Sequence, residues 1–305
     1  MSAPVTPATS VTPAPPVTSA TPAQSAPASR PSRTARRVLG GLGALGAATA
    51  LCATGLTGSA QAVVGGKDAT KAYPFMVSVP MTVEQEDGSK LKGVCGGTLI
   101  DPEWVVTAAH CAQDDFVARP TGKVRVGSDR LSSGGTVRTI VEKVVHPAYD
   151  VSGDKRSHDD IALLRLDRPV TRYAPIPVAD RAPKVGAHTR ILGFGTTVDS
   201  TDLEEWKFSE RLQELDTRRA AAGKCLDIKG KTELCTQSLV RDAMACNGDS
   251  GGPQVQRVGG RWQLVGATSG DGDAAVDRRC AGGPGIYTSV PAYKKWIDKT
   301  IASRR

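Results

Sequence analysis

The sequence predicts an all-β protein, mainly antiparallel, that ends in a single α-helix. Short runs rich in Val, Ile, Leu and Thr recur along the chain, separated by Gly, Pro, Asp and Ser. Only the C-terminal stretch switches to helical spacing. No tandem repeat is present, and 305 residues suffice for one large all-β unit or two domains of roughly 100 residues or a little more each.

The N-terminus stands apart. Residues 1–29 are almost entirely Pro, Ala, Ser, Thr and Val and carry no charge, so they have little to bury and are expected to be disordered. Arg30, Arg33, Arg36 and Arg37 follow, then an uncharged Leu/Ala/Gly run from Val38 to Leu56, then "SAQA" ending at Ala62. Basic, apolar and small residues in that order predict a secretory signal, hence a secreted, extracellular protein. Arg36-Arg37 hints weakly at a twin-arginine route. A membrane anchor is the alternative, since the apolar run is long enough to span, but it is poor in large residues and precedes a cleavage-like site. Cleavage after Ala62 leaves 243 residues with no stable membrane anchor. It removes four arginines and no acid, lowering the net charge from +8 to +4. No dense Lys/Arg cluster remains, so no nucleic-acid partner is expected.

The strand-like runs begin with "PFMVSVP" (74–80), "GGTLID" (96–101) and "WVVTAAH" (104–110). "RTIVEKVV" (138–145), "IALLRL" (161–166), "TRILGFG" (189–195) and "WQLVGATSG" (262–270) follow. "YAPIPVADRAP" (173–183) reads as a linker, dividing the mature chain into halves 63–172 and 173–305. In "PAYKKWIDKTIASRR", Tyr293, Trp296, Ile297 and Ile301 recur as a helical packing stripe. Of seven cysteines, Cys52 lies in the apolar run and leaves with it; the remaining six suggest three disulfides, with 15 pairings open.

"GDSGG" around Ser250 formally matches the G-x-S-x-G elbow of α/β-hydrolases. That fold needs its histidine after the serine, whereas His110, His146, His158 and His188 all precede Ser250. The order His, Asp, Ser can be filled instead: His110 in "WVVTAAHC", Asp160 in "DDIALLRL", Ser250 in "GDSGGP". With "VVGG" at 63–66, "CGGTLI" at 95–100, "HPAYD" at 146–150, "GFG" at 193–195 and "PGIYTSV" at 284–290, the chain resembles the chymotrypsin/trypsin-like serine proteases from Val63 to about Ala302.

The resemblance implies two antiparallel Greek-key β-barrels with a C-terminal helix, and a serine endopeptidase acting on proteins or peptides. Ser250 would be the nucleophile, His110 the general base and acid, and Asp160 the residue that orients His110. Asp159 competes for that last role; Asp160 is preferred because it directly precedes "IALL". The N–H groups of Gly248 and Ser250 would form the oxyanion hole. The resemblance also implies that a free Val63 ammonium would pair with Asp249, so that signal removal itself activates the enzyme. It further implies the bridges Cys95–Cys111, Cys225–Cys235 and Cys246–Cys280. No cofactor or metal is expected, since the family's calcium loop (126–137) offers only Asp129 as an acid. Protein inhibitors and a monomeric state go with such an enzyme.

The specificity pocket departs from the family. Met244 stands six residues before Ser250, where trypsins carry an Asp that pairs with Arg or Lys. A thioether cannot neutralise a buried cation. Ala245, Gly285 and Ser269 match other pocket positions, but Gly270 replaces a large residue, and Asp271, Asp273 or Asp277 could re-enter from the rim. The expectation is an apolar or relaxed P1 preference. The alternative function is a catalytically weak homologue used for binding.

Overall fold

The computed structural model describes residues 63–85, 87–114, 118–150 and 157–304. The extension and export signal expected over 1–62 lie outside these residues. In chain order the strands of the first half are β1 (Lys67–Asp68), β2 (Met76–Glu84), β3 (Lys90–Asp101), β4 (Trp104–Thr107), β5 (Ala118–Pro120), β6 (Lys123–Val126), β7 (Thr136–Val145) and β8 (Ala162–Leu166). Then come β9 (His188–Gly193), β10 (Gln213–Arg219), β11 (Glu233–Ser238), β12 (Pro253–Val258), β13 (Arg261–Asp271), β14 (Gly285–Ser289) and the helix α1 (Lys294–Ala302).

These strands form two closed antiparallel barrels, the chymotrypsin-like arrangement. The ring β2-β3-β4-β8-β7-β6 closes through β2 and β6, with β5 alongside β2. The ring β9-β10-β11-β14-β13-β12 closes through β9 and β12, and β1 is added to β10. Closure leaves no open edge within either ring. Along β7 half-buried and exposed residues alternate at first, as a strand with one face on the core should. β4, reading "WVVT", is buried throughout, with Trp104 among the largest fully enclosed side chains.

One apolar cluster runs through both barrels, from Leu99, Val106 and Leu164 to Leu192, Phe194, Val255 and Leu264. Truncating such a Leu to Ala typically costs about 2–5 kcal/mol. α1 adds Ile297 and Ile301 to this cluster, with Trp296 packed against it, so the expected stripe is a packing face. Segment 173–183 runs as irregular chain between the barrels. Its Ile176 N–H donates to Leu99 O and its Ala179 N–H to Leu264 O. Three disulfides form: Cys95–Cys111, Cys225–Cys235 and Cys246–Cys280, with Cα separations of 6.3, 5.7 and 5.2 Å.

Candidate active site

β4 and β8 are neighbours, with Thr107 opposite Ala162. This pairing brings the chain after β4 next to the chain before β8. His110 lies in the single 3₁₀ turn Ala109–Cys111 that follows β4, and Asp160 lies two residues before β8. His110 Nδ1 is 2.9 Å from Asp160 Oδ2, and the His110 backbone N–H donates to Oδ1 at 3.1 Å. The second barrel grips the same residue: Ser269 Oγ donates to Oδ2 at 2.7 Å and Thr288 Oγ1 to the Asp160 carbonyl at 2.7 Å.

Burial pushes the Asp160 carboxyl up, but the charge and hydrogen bond of His110, and then Ser269, outweigh it and hold it below the usual carboxylate range. Burial likewise pulls the His110 imidazole down, yet Asp160 wins by charge and hydrogen bond and leaves it raised. An ionised carboxylate only accepts, so Nδ1 carries the proton and Nε2 is left as an acceptor. Asp159 faces the other way, accepting from Lys229 Nζ and Tyr293 Oη.

Ser250 sits on a loop pressed against the first barrel. Its carbonyl accepts from Gly96 N–H at 2.7 Å, and the Sγ of Cys111, next to His110, lies 3.7 Å from the same oxygen. A Cβ on Gly96 would stand 2.5 Å from Gly252 Cα, so glycine on both sides permits this backbone-to-backbone contact. The Ser250 loop is thereby fastened beside the turn that carries His110. No hydrogen bond joins Ser250 Oγ to His110 among the described residues, as is common before substrate is bound. Gly248 has φ +92°, a left-handed conformation that suits glycine, and this directs the backbone between Asn247 and Ser250.

Asp249 is 1% exposed and accepts from the N–H groups of Gly195 (2.8 Å) and Cys246 (3.0 Å). No cation pairs with it among the described residues. Burial raises its carboxyl to about 7, against the pull of those two hydrogen bonds. Val63 is fully buried with Ile191, Leu215, Leu234, Met244 and Tyr287, and the Met244 N–H donates to Val64 O at 3.0 Å. In the intact chain its nitrogen is an amide, so Asp249 lacks the ammonium that the resemblance assigns to it.

A cleft of about 460 Å³ opens beside Ser250, bordered by Ala245, Cys246, Trp206, Gly270, Asp271 and Arg278. Met244 is 2% exposed, and its Cε would stand 2.7 Å from a Cβ on Gly285. The thioether thus packs in the core with Val63 and Tyr287, while its neighbour Ala245 borders the cleft. Asp271 faces Gly285 across the β13–β14 ladder and borders the cleft. Its carboxyl is raised to about 7, first by burial and then by the neighbouring Asp273 carboxyl. Asp277 turns to Arg279 instead.

His146 stacks edge-on against Tyr293 and Trp296, His158 Nδ1 lies 3.2 Å from Glu233, and His188 is exposed on β9. The groups near enough to share a metal among the described residues draw on Cys95–Cys111 or Cys246–Cys280, whose sulfurs are bonded to each other. In the 126–137 loop, the Arg125 guanidinium donates to the carbonyls of Leu131, Ser132 and Gly134. Sequence reasoning missed Thr288 and Lys229; Thr288 lies within "PGIYTSV" but was given no role, and Lys229 has no local motif, while both reach across the barrels.

Two barrels with a His–Asp pair between them and a serine loop sutured alongside define a serine hydrolase of the two-barrel type. The family model for trypsin matches residues 63–297. The trypsin of Sarcophaga bullata is 33% identical over 250 residues, covering 78% of this chain and 88% of that protein. Trypsin iota of Drosophila melanogaster is 32% identical over 244 residues, covering 78% and 87%. Among solved structures, neuropsin, a serine protease expressed in the limbic system of mouse brain, aligns with a TM-score of 0.62 at 26% identity, over 78% of this chain and 100% of that one. The chain belongs to the trypsin family of serine endopeptidases, whose substrates are proteins and peptides.

Proposed function

We propose that the protein is a secreted endopeptidase that works through Ser250, His110 and Asp160. The observation that carries this reading is the unbroken line Ser269–Asp160–His110, which leaves Nε2 of His110 as an acceptor next to the Ser250 loop. Ser250 Oγ attacks the scissile carbonyl as Nε2 takes its proton. Asp160 stabilises the resulting imidazolium. The N–H groups of Gly248 and Ser250 meet the oxyanion, a contribution of about 10²–10³ in rate per donor. His110 then protonates the leaving amine, and water hydrolyses the acyl-enzyme by the same groups in reverse. Protein inhibitors would occupy the same cleft, and a monomer suffices, because one chain holds every reacting group. Residues 63–172 supply the base and acid, and residues 173–305 the nucleophile and pocket.

Removal of residues 1–62 would convert the Val63 amide into an ammonium beside the buried Asp249. That pairing supplies the missing cation and completes the oxyanion hole. P1 selection is apolar or relaxed. Met244 stands in place of an acid, and Asp271, raised to about 7, is only about half ionised at neutral pH, so no full anion awaits a Lys or Arg side chain.

The test is labelling of export-processed protein with a peptidyl phosphonate or sulfonyl fluoride, with N-terminal sequencing of the same sample. The expected result is one label on Ser250 and a mature chain that starts at Val63. Correctly processed protein that takes no label would instead be a binding homologue. A P1-varied peptide library tests the pocket, and strong selectivity for Arg and Lys would overturn the role given to Met244.

A further inference from the structure

The short loop closed by Cys225–Cys235 belongs to the second barrel, between β10 and β11. Yet its side chains reach the residues just ahead of Asp160 in the first barrel. Lys229 Nζ donates to Asp159 Oδ2 at 2.8 Å, and Tyr293 Oη, from the turn before α1, donates to Oδ1 at 2.7 Å. Glu233, 1% exposed, accepts from the Lys229 backbone N–H at 2.7 Å through one oxygen. Its other oxygen lies 3.2 Å from His158 Nδ1. Lys229 is therefore fixed at both its backbone and its ammonium. The disulfide spans ten residues, so it holds Lys229 and Glu233 in one small frame.

Asp159 itself has φ +56°, a left-handed conformation that Asp adopts more readily than most non-glycine residues, and here its carboxylate is held by Lys229 and Tyr293. The Ile161 N–H closes a tight turn onto Asp159 O at 2.9 Å, and Asp160 lies inside that turn. The direction of the Asp160 side chain thus depends on the conformation of Asp159.

We propose that Lys229, with Tyr293, is a positioning device for the triad: by clamping the Asp159 carboxylate from the second barrel, it holds the turn that aims Asp160 at His110 Nδ1. This rests on the triad reading above. Lys229 touches neither substrate nor reacting atoms and acts through Asp160. The clamp also neutralises a carboxylate adjacent in sequence to the catalytic one.

The experiment is a double-mutant cycle on processed protein, read by kcat and KM on one peptide substrate and by thermal melting. Lys229→Met is expected to lower kcat about tenfold with KM within twofold, and Lys229→Arg to restore most of it. In an Asp160→Asn background, Lys229→Met is expected to cost less than twofold more, because the group it positions is gone. Tyr293→Phe provides a milder second arm should Lys229→Met fold poorly, with the same loss of effect in that background. Equal losses in both backgrounds, or unchanged kcat in the otherwise intact enzyme, would overturn the clamp. Failure of the triad reading looks different, since Asp160→Asn alone would then leave kcat intact.

Discussion

Asp160 and Asp271 are carboxylates of one active-site region, and their surroundings drive them in opposite directions. Asp160 is buried more completely, yet it receives donors from His110 and Ser269, so it stays ionised. Asp271 is only half-buried, but a second carboxyl at Asp273 adds to the burial and raises it to about 7. Depth alone does not decide the charge; the number and kind of partners do. The proposed reacting side of the cleft is built from matched polar groups. The proposed selecting side is built from a thioether and a pair of acids that, among the described residues, pair with no cation.

Four measurements break or sharpen this contrast, from the largest effect to the smallest. On the reacting side, Ser250→Ala is expected to cut kcat by roughly 10⁶ and Asp160→Asn by roughly 10⁴, the sizes set by the serine-histidine-aspartate template, with melting temperature little changed. An Asp160→Asn enzyme of near-normal rate would put Asp160 outside the chemistry. The pH profile of kcat/KM comes next. His110 must be neutral to accept a proton, so activity is lost as pH falls through its raised pKa, and the acid limb is expected above 6.5, the ordinary histidine value. An acid limb below that value would mean that burial outweighs Asp160.

On the selecting side, Asp271 gains charge as pH rises through about 7. The ratio of Arg-P1 to Leu-P1 turnover is therefore expected to climb several-fold between pH 6 and 8. Asp271→Asn is expected to flatten the climb, and a climb that persists in the variant would assign it elsewhere. Last, Asp249 in the intact chain binds its proton more tightly than an unfolded Asp, at about 7 against 3.8. Its contribution to stability is full below pH 3.8 and lost as pH rises to about 7. Melting curves of the unprocessed and Val63-started forms, both carrying Ser250→Ala, are expected to diverge by a few degrees over that range. Parallel curves would show that Val63 does not reach Asp249.

The sequence revealed most where chemistry is local. "GDSGG", "AAHC" and "DDIALL" each place one residue of the proposed triad beside a strand end or a turn, and the order of histidines excluded the rival elbow. Tyr293, Trp296, Ile297 and Ile301 marked α1 through their spacing alone. Between Asp159 and Asp160, the position directly before "IALL" favoured Asp160, but nothing local showed what Asp159 does instead. The difference lies in Lys229 and Tyr293, 70 and 134 residues further along the chain. The Asp271–Asp273 pair was visible as two acids in a loop, but their burial depends on Gly283 and on the opposing strand β14. The two-residue β1 joins the second barrel although it precedes every strand of the first, a pairing fixed only once β10 exists.

The bond from Gly96 N–H to Ser250 O ties the Ser250 loop to a strand of the other barrel. Every half of the molecule made during synthesis is therefore chemically silent. The first barrel carries His110 and Asp160 but holds nothing for them to activate. The serine loop emerges later and gains a base only when the two barrels dock. A chain still being made cannot cut its neighbours, because the proposed nucleophile and base meet only when both barrels are present, and the Val63 ammonium has still to be released after that.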